Sequence, residues 1–260
     1  MIFRDILFAL VVLLSVCVFS IISPGCGQII SPTGGPRDSI PPLLISASPA
    51  NGTINFKANR ITLNFNEYIS LEQLQENLIV SPTPFSSPYI DYKLKTVTIK
   101  LRDTLQANTT YTINLGNSIR DLNESNPLGD FRYIFSTGSV IDTLNFSGNV
   151  ILAESGNTDS TMLALLYKDL DDSAVYKRKA AYISRLDAKG NFTFRNLPGG
   201  TFRLFAIKDR DNGRTYNSPL EVFAFSDTLI RVSENTTPVL MYAYAEQREG
   251  STASTSRAPS

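Results

Sequence analysis

A period of two limits this chain more than any other feature. In "ITLNF" (61–65), Ile61, Leu63 and Phe65 alternate with Thr62 and Asn64. Successive side chains of a strand point to opposite faces, so such a run predicts a strand with one buried face. The pattern recurs in "TVTIKL" (96–101), "TYTINL" (110–115) and "FRYIFST" (131–137). Turn residues separate the runs, as in "SPANG" (48–52) with its Asn-Gly pair. One segment, "SLEQLQEN" (70–77), predicts a short helix, with Ser70 as cap and Gln73 three residues on. A second set begins at "SVIDTLNFSGNV" and runs through 161–169, 179–187, 190–209, 221–227, 228–233 and 238–244. Within it "NFTFRNL" places Phe192 and Phe194 inward, and Pro198-Gly199-Gly200 turns the chain into "TFRLFAI". Short strands at this spacing predict an all-β fold of two tandem antiparallel β-sandwiches, over residues 42–139 and 140–245.

Composition removes many functions. The 260 residues contain no His and no Trp, and 24 acidic side chains balance 24 basic ones. Without His, the usual Ser-His-Asp and Cys-His nucleophile systems, His-based zinc sites and a His proton switch are excluded. No basic face argues for nucleic acid. The expectation is no enzyme and no cofactor, with Ca²⁺ as the one metal considered.

The amino-terminal segment predicts location. Residues 6–22, "ILFALVVLLSVCVFSII", are apolar apart from two serines, and Ser23-Pro24-Gly25-Cys26 follow. A small residue before a cysteine at the end of such a run resembles the lipobox of bacterial lipoproteins. That resemblance implies removal of residues 1–25 and acylation of Cys26, although Ser23 and Pro24 depart from the commonest pattern. An uncleaved anchor and cleavage by the ordinary signal peptidase are the alternatives. Residues 26–41 have the Gly, Ser and Pro content of a flexible tether. Residues 246–260 are small, polar and aperiodic, and read as disordered.

Two further resemblances concern the sandwiches. The Ser-Pro-x-x-Gly turn, "ITLNFNEYI" (61–69), the segment 96–128 and the closing "YIFSTG" (133–138) resemble the bacterial Ig-like domain of surface-layer and envelope proteins. This implies a seven-strand sandwich without catalysis. Gly-x-Phe-x-Phe followed by Leu-Pro-x-Gly-x-Phe-x-Leu resembles the prealbumin-like, carboxypeptidase regulatory-like modules of envelope proteins. Together they suggest an envelope lipoprotein, in the outer membrane, with a periplasmic or surface face.

"DRDNGRTYN" (209–217) offers hard oxygens, but no frame satisfies an EF-hand. Asp209, Asp211, Asn212 and Glu221 form an irregular Ca²⁺ candidate beside the plainer reading of an Asp-Asn-Gly turn. Glu67 and Asp121 either pair as carboxylates or hold loop backbone; the latter is favoured. Asp-Ser/Thr-aliphatic triplets resemble an O-glycosylation acceptor, with Ser39 in the tether as the best candidate. The predicted function is a non-catalytic, lipid-anchored spacer or interaction module. Its partners are the membrane, through the lipid, and an envelope protein or glycan. The alternative is a secreted or surface carbohydrate-binding protein. Alternation assigns the Tyr and Phe residues to the core, and exposure of several along one face would favour that alternative.

Overall fold

The computed structural model describes residues 2–21, 35, 37–210 and 213–246. Two compact units divide the chain, Met1–Asp38 and Ser39–Ser260. The first contains α1 (Ile2–Ile21), formed by the apolar run. Among the described residues no helix is long and apolar enough to cross a membrane. Cys26, most of the predicted tether and all but the first residue of the predicted tail lie outside the described residues.

Every predicted strand of the first set forms. β1 (Leu44–Ser48) and β2 (Arg60–Phe65) are followed by β3 (Ile69–Leu71), α2 (Leu74–Asn77) and β4 (Ile79–Ser81). Next come β5 (Tyr89–Lys93), β6 (Thr96–Lys100), β7 (Thr110–Gly116), β8 (Ile119–Asp121) and β9 (Phe131–Ser136). They build an antiparallel sheet β1-β2-β6-β5, a second sheet β4-β7-β9 and a ribbon β3-β8. The alternating residues meet in one core: Ile61, Leu63, Val97, Ile99, Ile113, Leu115, Tyr133 and Phe135 are all fully buried. Each such side chain contributes about 1.5–3 kcal/mol. Phe135 lies 4.0 Å from Phe56 and stacks at 5.3 Å on Tyr111. The buried Tyr133 hydroxyl donates to the Pro49 carbonyl at 2.8 Å, closing the "SPANG" turn, and burial pushes its pKa up to about 12.

The predicted helix over 70–77 is a correction. Ser70 and Leu71 belong to β3 and pair with Arg120 and Ile119 of β8. Only Leu74–Asn77 is helical, with Gln73 at φ 49° and no side-chain cap. Pairing with β8 overrides a weak local helix preference.

The "DLNESN" turn after β8 depends on Asp121. Its carboxylate is 2 % exposed and accepts backbone N–H groups of Glu124 at 2.6 Å, Asn126 at 2.8 Å and Ser125 at 3.1 Å. Burial alone would raise its pKa, but these donors outweigh it and hold the carboxyl below its ordinary value of 3.8.

The second set also forms throughout. β10 (Leu144–Leu152), β11 (Leu163–Tyr167) and α3 (Ala174–Lys177) precede β12 (Tyr182–Arg185), β13 (Asn191–Leu197) and β14 (Gly200–Ile207). β15 (Phe223–Phe225), β16 (Ile230–Val232) and β17 (Val239–Ala243) complete it. One sheet is β13-β10-β17; the other is β12-β11-β14-β15, with β16 on β14. The Pro-Gly-Gly turn therefore carries the chain from one sheet to the facing one. Phe192, Phe194, Phe202 and Leu204 pack into the core between them. One pairing departs from the antiparallel expectation. β17 runs parallel to β10, on the edge of that strand opposite β13.

Gly148 of β10 lies opposite Phe192 on one side and Val239 on the other. A Cβ there would stand 2.4 Å from Phe192 Cζ and 2.6 Å from the Val239 carbonyl oxygen. Gly148→Ala is expected to cost about 1–3 kcal/mol in denaturant unfolding, as overpacking does. Asp121→Asn is expected to cost about 1–3 kcal/mol at neutral pH. The fold holds the carboxylate form, so this stabilisation is complete above the unfolded-state value. It is lost as pH falls through the lower folded-state one, and the variant's deficit in urea midpoint should shrink in acid.

Candidate functional site

The two sandwiches meet at β4. Ile79, 5 % exposed, leaves the first core and joins a cluster on the outer face of the β12-β11-β14-β15 sheet. There it packs with Leu165, Ile183, Val175 and Tyr216 among others. Hydrogen bonds fix this contact. The Thr83 N–H donates to the Ala181 carbonyl at 2.8 Å, and Lys179 Nζ donates to the Phe85 carbonyl at 3.2 Å. Arg214 Nη2 donates to the Leu78 carbonyl at 3.2 Å. At the start of β10, the Asp142 N–H donates to Thr110 Oγ1 at 2.8 Å.

The acidic loop supports this joint. Asp209 Oδ2 accepts the Arg214 N–H at 3.2 Å, and Glu221 Oε2 accepts the Asn217 N–H at 3.0 Å. The Tyr216 N–H donates to the Val175 carbonyl at 3.0 Å, and its ring is buried in the shared cluster. Arg214 sits at φ 55°, a left-handed conformation costing about 1–2 kcal/mol for an L-residue. The Asp209 carboxylate that accepts its backbone N–H, and its own bond to Leu78, offset that cost. Burial pushes the Arg214 pKa down, against the raising effect of Asp209. Asp211 and Asn212 lie outside the described residues, and Glu221 is 3 % exposed. Among the described residues no group of three or more His, Cys, Asp or Glu could hold a metal ion. Ser39 is exposed ahead of β1.

Beside the joint is a cleft of about 460 Å³. Alternation decides its lining. Because Tyr111, Ile113 and Leu115 face the first core, Thr112 and Asn114 face the cleft. Because Phe192 and Phe194 face the second core, Thr193 and Arg195 face it from the other side. Ser184 Oγ donates to the Thr193 carbonyl at 3.0 Å and accepts the Thr193 N–H at 3.2 Å, joining β12 to β13. Arg132 grips Asp130 through Nη2 at 2.8 Å to both carboxylate oxygens. Asp187 accepts N–H groups of Lys189 and Asn191, each at 2.8 Å. The Asn191 side chain and backbone hold its carboxyl below the ordinary range. Burial and the neighbouring Arg214 push the Arg185 pKa down, while Glu76 opposes them. The lining offers hydroxyls, amides and guanidinium groups for hydrogen bonding. The Ser184 hydroxyl is engaged by Thr193 backbone and Asp187 by the backbone of its own turn.

Sequence reasoning identified Asp209 and Glu221 but missed the joint they support. The available signal was Ile79-Val80, two adjacent apolar residues in a strand. One must face away from its own core: Val80 enters the first core, and Ile79 enters the shared cluster.

Comparison with known proteins agrees with the first sandwich. Residues 38–137 match the family described as the bacterial Ig-like domain. No curated protein matches the chain. Solved structures with some likeness include a variant of the major pilin subunit of Bacillus cereus. It is 13 % identical over 71 % of this chain and 63 % of that one, with a TM-score of 0.26. An L,D-transpeptidase from Mycobacterium smegmatis is 14 % identical over 75 % of this chain and 77 % of that one, at 0.26. The N-terminal part of the bacterial S-layer protein SbsC is 12 % identical over 79 % of this chain and 44 % of that one, at 0.27. The chain thus spans less than two thirds of the pilin's length.

Removing the Ile79 side chain beyond Cβ tests the joint. Ile79→Ala is expected to cost about 2–5 kcal/mol, as buried large-to-small changes do. It should speed amide exchange at Thr83 while leaving Ile113, deep in β7, protected.

Proposed function

We propose that this protein is a non-catalytic, lipid-anchored spacer and interaction module of the bacterial cell envelope. Cys26 carries the acyl chains, residues 26–41 are the tether, and the outer membrane holds the lipid. Each buried acyl CH₂ contributes about 0.8 kcal/mol, so two or more chains anchor a protein stably. The observation that carries the reading is the joint. Ile79 lies in the second sandwich's cluster, and hydrogen bonds of Thr83, Lys179, Arg214 and Asp142 also join the two sandwiches, so they are held as one body. A stiff pair of sandwiches suits spacing and presentation. The bacterial Ig-like match over 38–137 supports the envelope setting. The absence of His and the polar, hydrogen-bonding lining of the cleft support a binding role, with an envelope protein or glycan as partner.

The test is intact mass and acyl-chain labelling of the membrane-extracted protein beside Cys26→Ala. The expected result is a chain lacking residues 1–25, acylated on Cys26, with both changes lost in the variant. An unmodified chain retaining residues 1–25, or a soluble unlipidated product, would contradict the anchor.

A further inference from the structure

A second depression lies on the second sandwich, away from the cleft. On β14, Phe202, Leu204 and Ala206 enter the core, so Arg203, Phe205 and Ile207 face the other way. On β15, Ala224 enters the core, so Phe223 and Phe225 share that outer face. α3 and the loop after β14 cover only part of it. What remains is a groove of about 370 Å³, floored by Phe205 and Phe223 and walled by Tyr176 and Phe225. Asp172, Asp227 and Arg203 stand among its lining residues.

The rings form a continuous series. Tyr176 meets Tyr216 edge-on at 5.3 Å, Tyr216 meets Phe223 at 4.7 Å, and Phe223 stacks near-parallel on Phe225 at 6.1 Å. Tyr244 joins at 4.9 Å from Phe223. Three of these rings remain in water: Tyr176 is 52 % exposed, Phe225 43 % and Tyr244 40 %. The sequence pattern assigned such rings to the core, yet here the fold leaves them together at one surface. Contiguous exposed apolar surface of this kind marks a binding site.

Charge narrows the ligand. Arg203 pairs with Asp172 at 2.5 Å and is 17 % exposed, whereas the Asp172 side chain is 81 % exposed. Asp227 is also exposed. The Arg203–Asp172 pair is internally neutral, so it offers a ligand hydrogen bonds more than net charge, and an anion would also face Asp227. A purely apolar side chain would take water from these charges and return no hydrogen bonds. A neutral polyhydroxyl ring satisfies every group: its C–H face lies on the aromatic rings, while its hydroxyls donate to the carboxylates and accept from Arg203. The groove falls within the size range of small-ligand sites, about 300–1,000 Å³.

We infer that this groove binds a neutral saccharide, a pyranose ring seated between Tyr176 and Phe225 with hydroxyls held by Asp172, Asp227 and Arg203. This deepens the interaction-module reading by naming a ligand class. It does not depend on Cys26, so acyl labelling and sugar binding fail independently.

The test is titration of the full chain with maltotriose, cellotriose and the N-acetylglucosamine trimer, followed by calorimetry and saturation-transfer NMR. At least one is expected to bind, with saturation strongest on its ring C–H protons. Phe225→Ala and Tyr176→Ala should each weaken binding about tenfold, the upper end of one lost ring contact. Asp227→Asn should weaken it with an unchanged melting temperature, which separates ligand loss from unfolding. Tyr92→Ala, an exposed ring on the first sandwich, should leave affinity unchanged. Failure of all three sugars to bind would overturn the inference. So would binding that survives both ring variants, or a lysine-rich peptide that binds the groove where the sugars do not.

Discussion

The burial of Ile79 is the contact on which the rest of the arrangement depends. It places one side chain of the first sandwich in a cluster built by the second. Burying an isoleucine this fully contributes about 1.5–3 kcal/mol, more than a surface ion pair usually does. The Thr83–Ala181 and Arg214–Leu78 hydrogen bonds then fix orientation, which apolar contact alone does not. With this joint closed, Thr112 and Asn114 face Thr193 and Arg195 across one cleft. Without it they would be two unrelated polar surfaces.

The acidic loop shows how one segment serves structure at several points. Asp209 Oδ2 and Glu221 Oε2 each accept a backbone N–H, and Tyr216 fills the cluster. That leaves Arg214 aimed at Leu78, in a backbone conformation the loop must enforce. The same outer sheet face that receives Ile79 runs on to Phe223 and Phe225. The joint and the aromatic groove are therefore parts of one surface, covered at one place and open at another.

Much of the fold was legible because a period of two needs only local information. Ile61, Leu63 and Phe65 announced their strand and its buried face, as did Phe192 and Phe194. Partner and direction were not legible. Nothing in "PVLMYAY" distinguishes parallel from antiparallel pairing, which follows from where the chain has already been. The short helix failed for a related reason: Ser70 and Leu71 were claimed by β8, some fifty residues later. Function was less legible still. Phe223 and Phe225 alternate like core residues, and they do share a face, but Tyr216 and Tyr244 pack on Phe223 while Phe225 stays 43 % exposed. The carboxylate readings divided similarly. Asp121 serves loop backbone as expected, whereas the role of Asp209 beside Arg214 needed the fold to be seen.

The central claim is that two sandwiches act as one stiff body. Residual dipolar couplings from backbone amides of the full chain, fitted separately for residues 44–136 and 144–243, test it most directly. The account predicts one alignment tensor, equal in magnitude and orientation for both sets. Two tensors of different magnitude would mean that the sandwiches move independently, and would contradict the spacer.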